Sequence, residues 1–255
     1  MIGAIAGDII GSRFEGHPSP PDGFDLFQAD CGFTDDTVCT LAIAHALLEG
    51  EDFGVSLRRF VRRYPHAGYG GMFIRWAMND DLPAYGSWGN GAPMRGSAVG
   101  WLARDEDEVL RLGAAQAAVS HDHPDAMAAA QAVALSVYLL RHGTSAEVVR
   151  NRMSSQFGYS LAPEVAFRQG GFDVSSRGTM PPALAAALSA PDWESAVRKV
   201  IVLGGDTDTL ACIAGAVAEA VHGVPDDIAD TARAHLTEDL VEVLERFEDR
   251  LLGQS

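Results

Sequence analysis

Phe33-Thr34-Asp35-Asp36-Thr37 and Gly204-Gly205-Asp206-Thr207-Asp208-Thr209 each set two carboxylates and two hydroxyls ahead of an apolar helical pattern, Val38–Leu48 in one case and Leu210–Val221 in the other. A helix start needs one such oxygen as a cap for its first free N–H groups, and for either segment alone capping is a sufficient account. Together they carry more oxygen than two caps use. If the two starts face each other, four carboxylates share a pocket. At 4 Å and an effective dielectric near 20, each like-charge pair costs about 4 kcal/mol, so such a cluster needs protonation or bound cations. Hard oxygen donors, with no Cys or His at ligand spacing, select Mg²⁺, Mn²⁺ or Ca²⁺ over zinc. Two such ions roughly 3.5–4 Å apart would support hydrolysis.

A third acidic element lies near the N-terminus. Asp8 and Glu15 are seven positions apart, which on one continuous helix puts them on one face about 10.5 Å apart along the axis. Gly3, Gly7 and Gly11 recur every four residues, a spacing that permits close approach of a helix or a ligand. By itself this element also reads as a solvated acidic pair beside packing glycines.

Competing motifs are weaker. Lys199–Leu203 followed by Asp206-Thr207-Asp208-Thr209-Leu210 imitates the strand and DxDxT nucleophile of a haloacid dehalogenase-type phosphatase. That motif normally opens a doubly wound α/β domain, yet little chain follows Leu210 and alternating strands are absent. An EF-hand loop fails at Leu210 and Ala211. His121-x-His123 has no third His or Cys ligand nearby. The glycine-rich stretch Gly86–Gly96 lacks GK[ST] and a preceding strand, which disfavours Walker and Rossmann readings. Arg58, Arg59, Arg62 and Arg63 read as a solvated basic face.

The elements that must position these residues are helical. Leu240, Val243, Leu244, Phe247 and Leu251 line one helix face, with Thr237 at the N-cap position and Glu238 and Asp239 in the first turn. Periodicity predicts further helices at Asp35–Leu48, Phe53–Tyr64, Met72–Met78, Met94–Arg104, Asp107–Ala118, Pro124–His142, Ala146–Phe157, Trp193–Leu203, Asp206–Val221 and Pro225–Leu236. Ala126–Leu140 is apolar nearly all round, which predicts a central helix. Only Lys199–Leu203 reads as a short strand, and a helix serves it equally well. Gly16–Gly32, Pro83–Gly96 and Gly170–Pro182 read as long loops. The expected fold is all-α, a compact multi-helix orthogonal bundle in one domain over residues 1–255.

Composition agrees with a globular fold and narrows the partners. The 255 residues are 47% hydrophobic and 21% charged. With 19 Lys and Arg against 35 Asp and Glu, the formal charge is −16. That balance repels a polyphosphate backbone and an anionic membrane, which argues against general nucleic-acid or lipid binding. Cys31, Cys39 and Cys212 are odd in number with no CxxC pair, so a disulfide framework or structural zinc is not expected. The N-terminal residues lack a signal-peptide pattern, and the longest apolar-rich run is too short for a bilayer. A cytoplasmic monomer is the expectation.

Taken in order, Ala6-Gly7-Asp8 with Gly11 and Glu15, Thr34-Asp35-Asp36-Thr37, Gly89-Asn90-Gly91-Ala92-Pro93-Met94-Arg95, His121 and Gly204-Gly205-Asp206-Thr207-Asp208-Thr209 resemble the ADP-ribosylglycohydrolase family, which includes the dinitrogenase-reductase-activating glycohydrolases. The resemblance runs from residue 3 to about residue 222. It implies an all-α fold with a binuclear Mg²⁺ or Mn²⁺ centre. It also implies hydrolysis of the glycosidic bond that joins ADP-ribose to a protein side chain, arginine or serine, or to a small acceptor. Carried over by position, Thr34, Asp35 and Asp36 look like the first set of metal ligands, and Asp206, Asp208 and Thr209 like the second. Glu15 matches an acidic residue gating the site. Gly86, Ser87 and Trp88, with the Gly89-Asn90-Gly91 turn, match the loop that cradles the diphosphate, where backbone N–H groups bind phosphate without Lys. His121 aligns with a histidine lining the ribose pocket. The activated water's proton would pass to Glu15 or Asp36; Glu15 is taken first because Asp36 is also counted a ligand. A catalytically silent ADP-ribose or nucleotide sensor on the same fold would be marked by lost ligands, and none of the six is lost.

Overall fold

Ile2–Ser12 is apolar at nearly every position and forms the first helix, α1, buried from Ile2 through Gly11. In the computed structural model, which describes residues 1–167 and 171–253, thirteen helices follow it among the described residues. They are α2 (Asp35–Glu49), α3 (Phe53–Arg63), α4 (Gly71–Ala77), α5 (Ser97–Leu102), α6 (Glu106–Ala118), α7 (Pro124–Arg141), α8 (Ala146–Phe157), α9 (Pro163–Ala166), α10 (Ser176–Ser189), α11 (Trp193–Leu203), α12 (Thr207–His222), α13 (Asp226–Ala234) and α14 (Glu238–Leu252). No strand occurs among the described residues; a single antiparallel bridge joins Gly89 and Ser175. The fold is all-α, and no helix among the described residues is long and apolar enough to cross a membrane.

The centre is an antiparallel pair, α1 against α12. A Cβ placed on Gly3 would lie 2.5 Å from the Gly215 carbonyl oxygen, and one on Gly11 would lie 2.5 Å from that of Thr207. Only hydrogen at these positions lets the two backbones touch, the close approach that the four-residue glycine spacing permits. Helices α10 and α11 cover α12, while α2 carries α3, α5 and α14. The α14 stripe Leu240, Val243, Leu244 and Phe247 is buried as its period predicts.

The all-round apolar α7 is wrapped by α5, α6, α8, α10 and α12, though Met127, Gln131 and Leu139 stay half-buried. Several other expectations are corrected. Lys199–Leu203 is the end of α11, so no strand precedes Asp206 and the phosphatase reading loses its first element. The helix expected from Met94 begins at Ser97, because residues 90–95 form turns. The predicted loop Gly170–Pro182 becomes helical at Ser176; the expectation for Gly170 itself lies outside the described residues. Ser175 caps α10 by accepting from the Gly178 N–H at 2.9 Å. Pro181 and Pro182 sit inside this helix, each lacking one backbone donor, and the fully buried run Ala183–Ala186 outweighs that loss. Finally, α1 ends at Ser12, so Glu15 leaves the helix and does not share a face with Asp8.

The candidate active site

Two helix starts and one helix interior build the site. Before α12, Gly204 and Gly205 both take positive φ, +76° and +87°. A Cβ on Gly205 would lie 2.6 Å from the Gly171 carbonyl oxygen. This turn puts Asp206 at the N-cap position, yet its carboxylate does not cap. Instead Asp206 Oδ2 accepts from Asn90 Nδ2 at 2.6 Å, and the same nitrogen donates to Thr179 Oγ1 at 3.1 Å. At the other start Thr34 is the cap, accepting from the Asp36 N–H at 3.3 Å. Capping therefore accounts for Thr34 and not for Asp36 or Asp206. Asp36 Oδ2 accepts from Thr209 Oγ1 at 3.1 Å, which joins the two starts across the site. Asp36 Oδ1 is buried and has no hydrogen-bond partner among the described residues.

Asp8 ties α1 into this arrangement, although it stands outside the expected ligand set. Fully buried, it accepts from the Thr34 N–H (2.9 Å), Thr34 Oγ1 (2.7 Å), the Thr37 N–H (3.1 Å) and Thr37 Oγ1 (2.5 Å). Carboxylate oxygens of Asp8, Asp36 and Asp208 lie within 4.8 Å of one another, and so do those of Glu15, Asp206 and Asp208. Asp208 belongs to both groups. Asp35 belongs to neither but lines the same cleft, its backbone held by a 2.7 Å bond to the Ala67 carbonyl.

Such crowding leaves an electrostatic signature. Burial, ahead of the Asp8 charge, pushes Asp35 up to about 8. Burial first, then Asp8 and Asp35, holds Asp36 well above the usual carboxylate range. Asp208 is raised likewise by burial and by Asp36, and Asp8 is raised by burial despite its four donors. Glu15, at the cleft edge, is raised by partial burial and then by Asp206 and Asp8. Like charges share this space, and no Lys or Arg among the described residues pairs with them. An oxygen-only donor set with an orphaned buried carboxylate oxygen fits a hard divalent cation.

Above the acids opens a cleft of about 560 Å³, a size suited to a small-molecule site. Every expected site residue lines it: Glu15, Thr34, Asp35, Asp36, Gly86 through Gly91, His121, Asp206, Asp208 and Thr209. The glycine loop is knitted to its surroundings. The Gly86 N–H donates to Asp122 Oδ1 (2.6 Å), that of Gly89 to Ser87 Oγ (3.2 Å) and that of Asn90 to the Val174 carbonyl (2.9 Å). The N–H groups of Ser87 and Trp88 have no acceptor among the described residues. Trp88 is 53% exposed rather than a core residue, and with exposed Met72, Phe172 and Val174 it gives the cleft an apolar rim.

His121 is buried in the cleft wall, flanked by the rings of Phe73 and Tyr85, each with its centroid 5.9 Å away. Burial and the neighbouring Arg95 push its imidazole well below the usual histidine value, so it is neutral. His123 caps α7, its Nδ1 accepting from the Asp125 N–H at 3.2 Å. Arg95 itself is fully buried, and sequence reasoning gives it no role beyond its place in the Gly89–Arg95 motif. Arg59, Arg62 and Arg63 of α3, as expected of a solvated face, pair with Glu51, Asp80 and Asp239. Arg58 departs from that expectation, half-buried against the Trp76 ring and donating to the Trp76 and Leu82 carbonyls.

The family model described as ADP-ribosylglycohydrolase matches residues 1–255. A protein named ADP-ribosylhydrolase ARH3 from Danio rerio is 24% identical over 302 residues, covering 88% of this chain and 82% of the relative. The protein of the same name from Xenopus tropicalis is also 24% identical, covering 88% and 86%. A solved structure titled ADP-ribosylglycohydrolase-related protein complex superposes with a TM-score of 0.75 at 22% identity, covering 98% of this chain and 97% of that one, which establishes the shared fold.

Proposed function

The chain belongs to the ADP-ribosylglycohydrolase family, and from that premise we propose that it is a divalent-cation-dependent hydrolase cleaving the glycosidic bond between ADP-ribose and an acceptor by attack of water at the distal ribose C1. The acceptor class is a protein arginine or serine side chain or a small molecule. The observation that carries this reading is the convergence of Asp8, Asp36, Asp206, Asp208 and Glu15 beneath a cleft whose wall carries the glycine loop and His121.

Asp8, Asp36 and Asp208 would hold one Mg²⁺ or Mn²⁺ ion, and Glu15, Asp206 and Asp208 a second, with Thr34, Asp35 and Thr209 adding oxygens. When bound, such ions would lower the pKa of water and hold the vicinal ribose hydroxyls in place. The chain's own groups do the rest. Glu15, its pKa raised at the cleft edge, is placed to take the attacking water's proton. Asn90 fixes the Asp206 carboxylate. Ser87 and Trp88 offer N–H donors to the diphosphate, and the apolar rim shields the ligand's flat faces. Orientation of ribose against a fixed acidic floor supplies much of the rate advantage.

The test is release of free ADP-ribose from ADP-ribosylated arginine, ADP-ribosylated serine and O-acetyl-ADP-ribose, with Mg²⁺ or Mn²⁺ present. Release from at least one is expected, lost with chelator and restored by added ion. An undiminished rate in EDTA would refute the metal mechanism; binding of ADP-ribose without turnover of any conjugate would favour the sensor. A finer expectation concerns Asn90→Ala. It removes the amide that orients Asp206, and loss of an outer-shell partner of this kind costs roughly 10–100-fold in metal affinity or activity. Wild-type values for both in Asn90→Ala would show that Asp206 needs no such support.

A further inference from the structure

The wall of the cleft contains a directional hydrogen-bond chain. Arg95 Nη2 lies 3.0 Å from Ser120 Oγ and 3.0 Å from the Gln116 carbonyl, while Arg95 Nε donates to Gln116 Oε1 at 2.8 Å. Ser120 Oγ in turn lies 2.8 Å from His121 Nδ1. An arginine can only donate, so the serine oxygen must accept from it. The serine oxygen keeps a second lone pair, but its one hydrogen is buried with no other acceptor among the described residues, so it goes to Nδ1, which accepts. A ring that accepts at Nδ1 and is neutral carries its proton on Nε2.

Nε2 faces the cleft. A Cβ on Gly91 would lie 3.0 Å from it and one on Gly89 3.8 Å, so both glycines keep the space before this atom open. Nε2 has no hydrogen-bond partner among the described residues. Phe73 and Tyr85 prevent the ring from turning away. We infer that Arg95 and Ser120 are positioning residues that set His121 as a fixed Nε2–H donor aimed across the Gly89–Gly91 turn at an acceptor oxygen of the ligand. Under the functional reading above, on which this last step rests, that oxygen belongs to the diphosphate or a ribose hydroxyl of ADP-ribose. Arg95, although it lines the cleft, acts through Ser120 rather than as a phosphate ligand.

Ring-¹⁵N histidine spectra of the unliganded protein at pH 7, with the His121 signals assigned by their loss in His121→Gln, read the tautomer directly. The wild-type ring should be in the Nε2–H form. Ser120→Ala, a small truncation whose folding is checked by its melting curve, should redistribute the ring between tautomers. In the presence of Mg²⁺, Ser120→Ala should bind ADP-ribose about 2- to 10-fold more weakly by calorimetry, the range expected for one net hydrogen bond. A wild-type ring protonated at Nδ1, or a Ser120→Ala ring that stays wholly in the Nε2–H form, would overturn the assignment. Redistributed tautomers with unchanged ADP-ribose affinity would overturn the donation to the ligand. Wild-type protein that fails to bind ADP-ribose would count against the functional reading, while the unliganded spectrum still decides the tautomer.

Discussion

Asp208→Asn is expected to lower ADP-ribose release about a thousandfold or more while leaving the metal-free protein at least as stable as the wild type. Asp208 is the one residue shared by both carboxylate groups, so a single substitution removes an anionic ligand from each. Losing several kcal/mol of electrostatic stabilisation corresponds to a factor of this size, since each 1.36 kcal/mol is tenfold in rate. Stability should move the other way. Burial and Asp36 already disfavour the charged form of Asp208, and the amide nearly preserves its shape without the repulsion. The ion response separates the two effects. At about 100 times Kd, a divalent ion stabilises the wild type by about 2.7 kcal/mol, which for a chain of this size is roughly 5–10 °C in melting temperature. In Asp208→Asn that increment should fall to about 1 °C or less by the same linkage. Glu15→Gln and Asp206→Asn each touch one group and should retain part of it. If either of those two variants lost the ion response as completely as Asp208→Asn, the shared-ligand arrangement would be contradicted; so would it be by Asp208→Asn turning over at the wild-type rate.

The acidic helix starts were legible because a cap uses one oxygen and each segment offered several. The structure divides the work accordingly, Thr34 capping while Asp36 and Asp206 point elsewhere. Asp8 was harder to read. It sits inside an apolar helix, and nothing local distinguishes a buried carboxylate held by Thr34 and Thr37 from one facing water. Only the packing of α1 on α12 and α2 reveals its place. Glu15 is legible from the motif order rather than from helix geometry, since the helix that would align it with Asp8 stops at Ser12. Helix α10 was hidden by Pro181 and Pro182, whose cost is local and visible whereas the burial that offsets it is tertiary and is not. Arg95 carries no legible role in the sequence beyond its motif, because its enclosure beside Gln116 and Ser120 is a tertiary contact. The glycine period of α1 was the clearest tertiary signal in the chain, because a residue without Cβ every fourth position has few uses other than contact.

That contact makes Gly7→Ala the most destabilising small substitution we expect. Alanine is favoured over glycine in a helix by about 1 kcal/mol, so on a solvated helix the change would raise stability. Here the added Cβ would fall inside the van der Waals envelope of the Ala211 carbonyl, 2.5 Å from its carbon. The obstacle is backbone on both sides, with no flexible side chain to yield. Tilting α1 about Gly7 would drive Gly3 into Gly215 or Gly11 into Thr207, so the helices must separate along their length. Overpacking typically costs 1–3 kcal/mol, and a rigid contact belongs at the upper end, about 3 kcal/mol or a fall of roughly 6–12 °C in melting temperature. The displacement also reaches the site, because Asp8 follows Gly7 directly and Gly11 abuts Asp208. The gain in melting temperature from Mn²⁺ should therefore shrink together with the baseline. Gly32→Ala, which meets no atom within 4 Å, is the matched control and should stay within about 0.5 kcal/mol of wild type. A Gly7→Ala protein that melts at or above the wild-type temperature would mean that α1 and α12 do not pack backbone to backbone, and the placement of Asp8 beside Asp208 would fall with that contact.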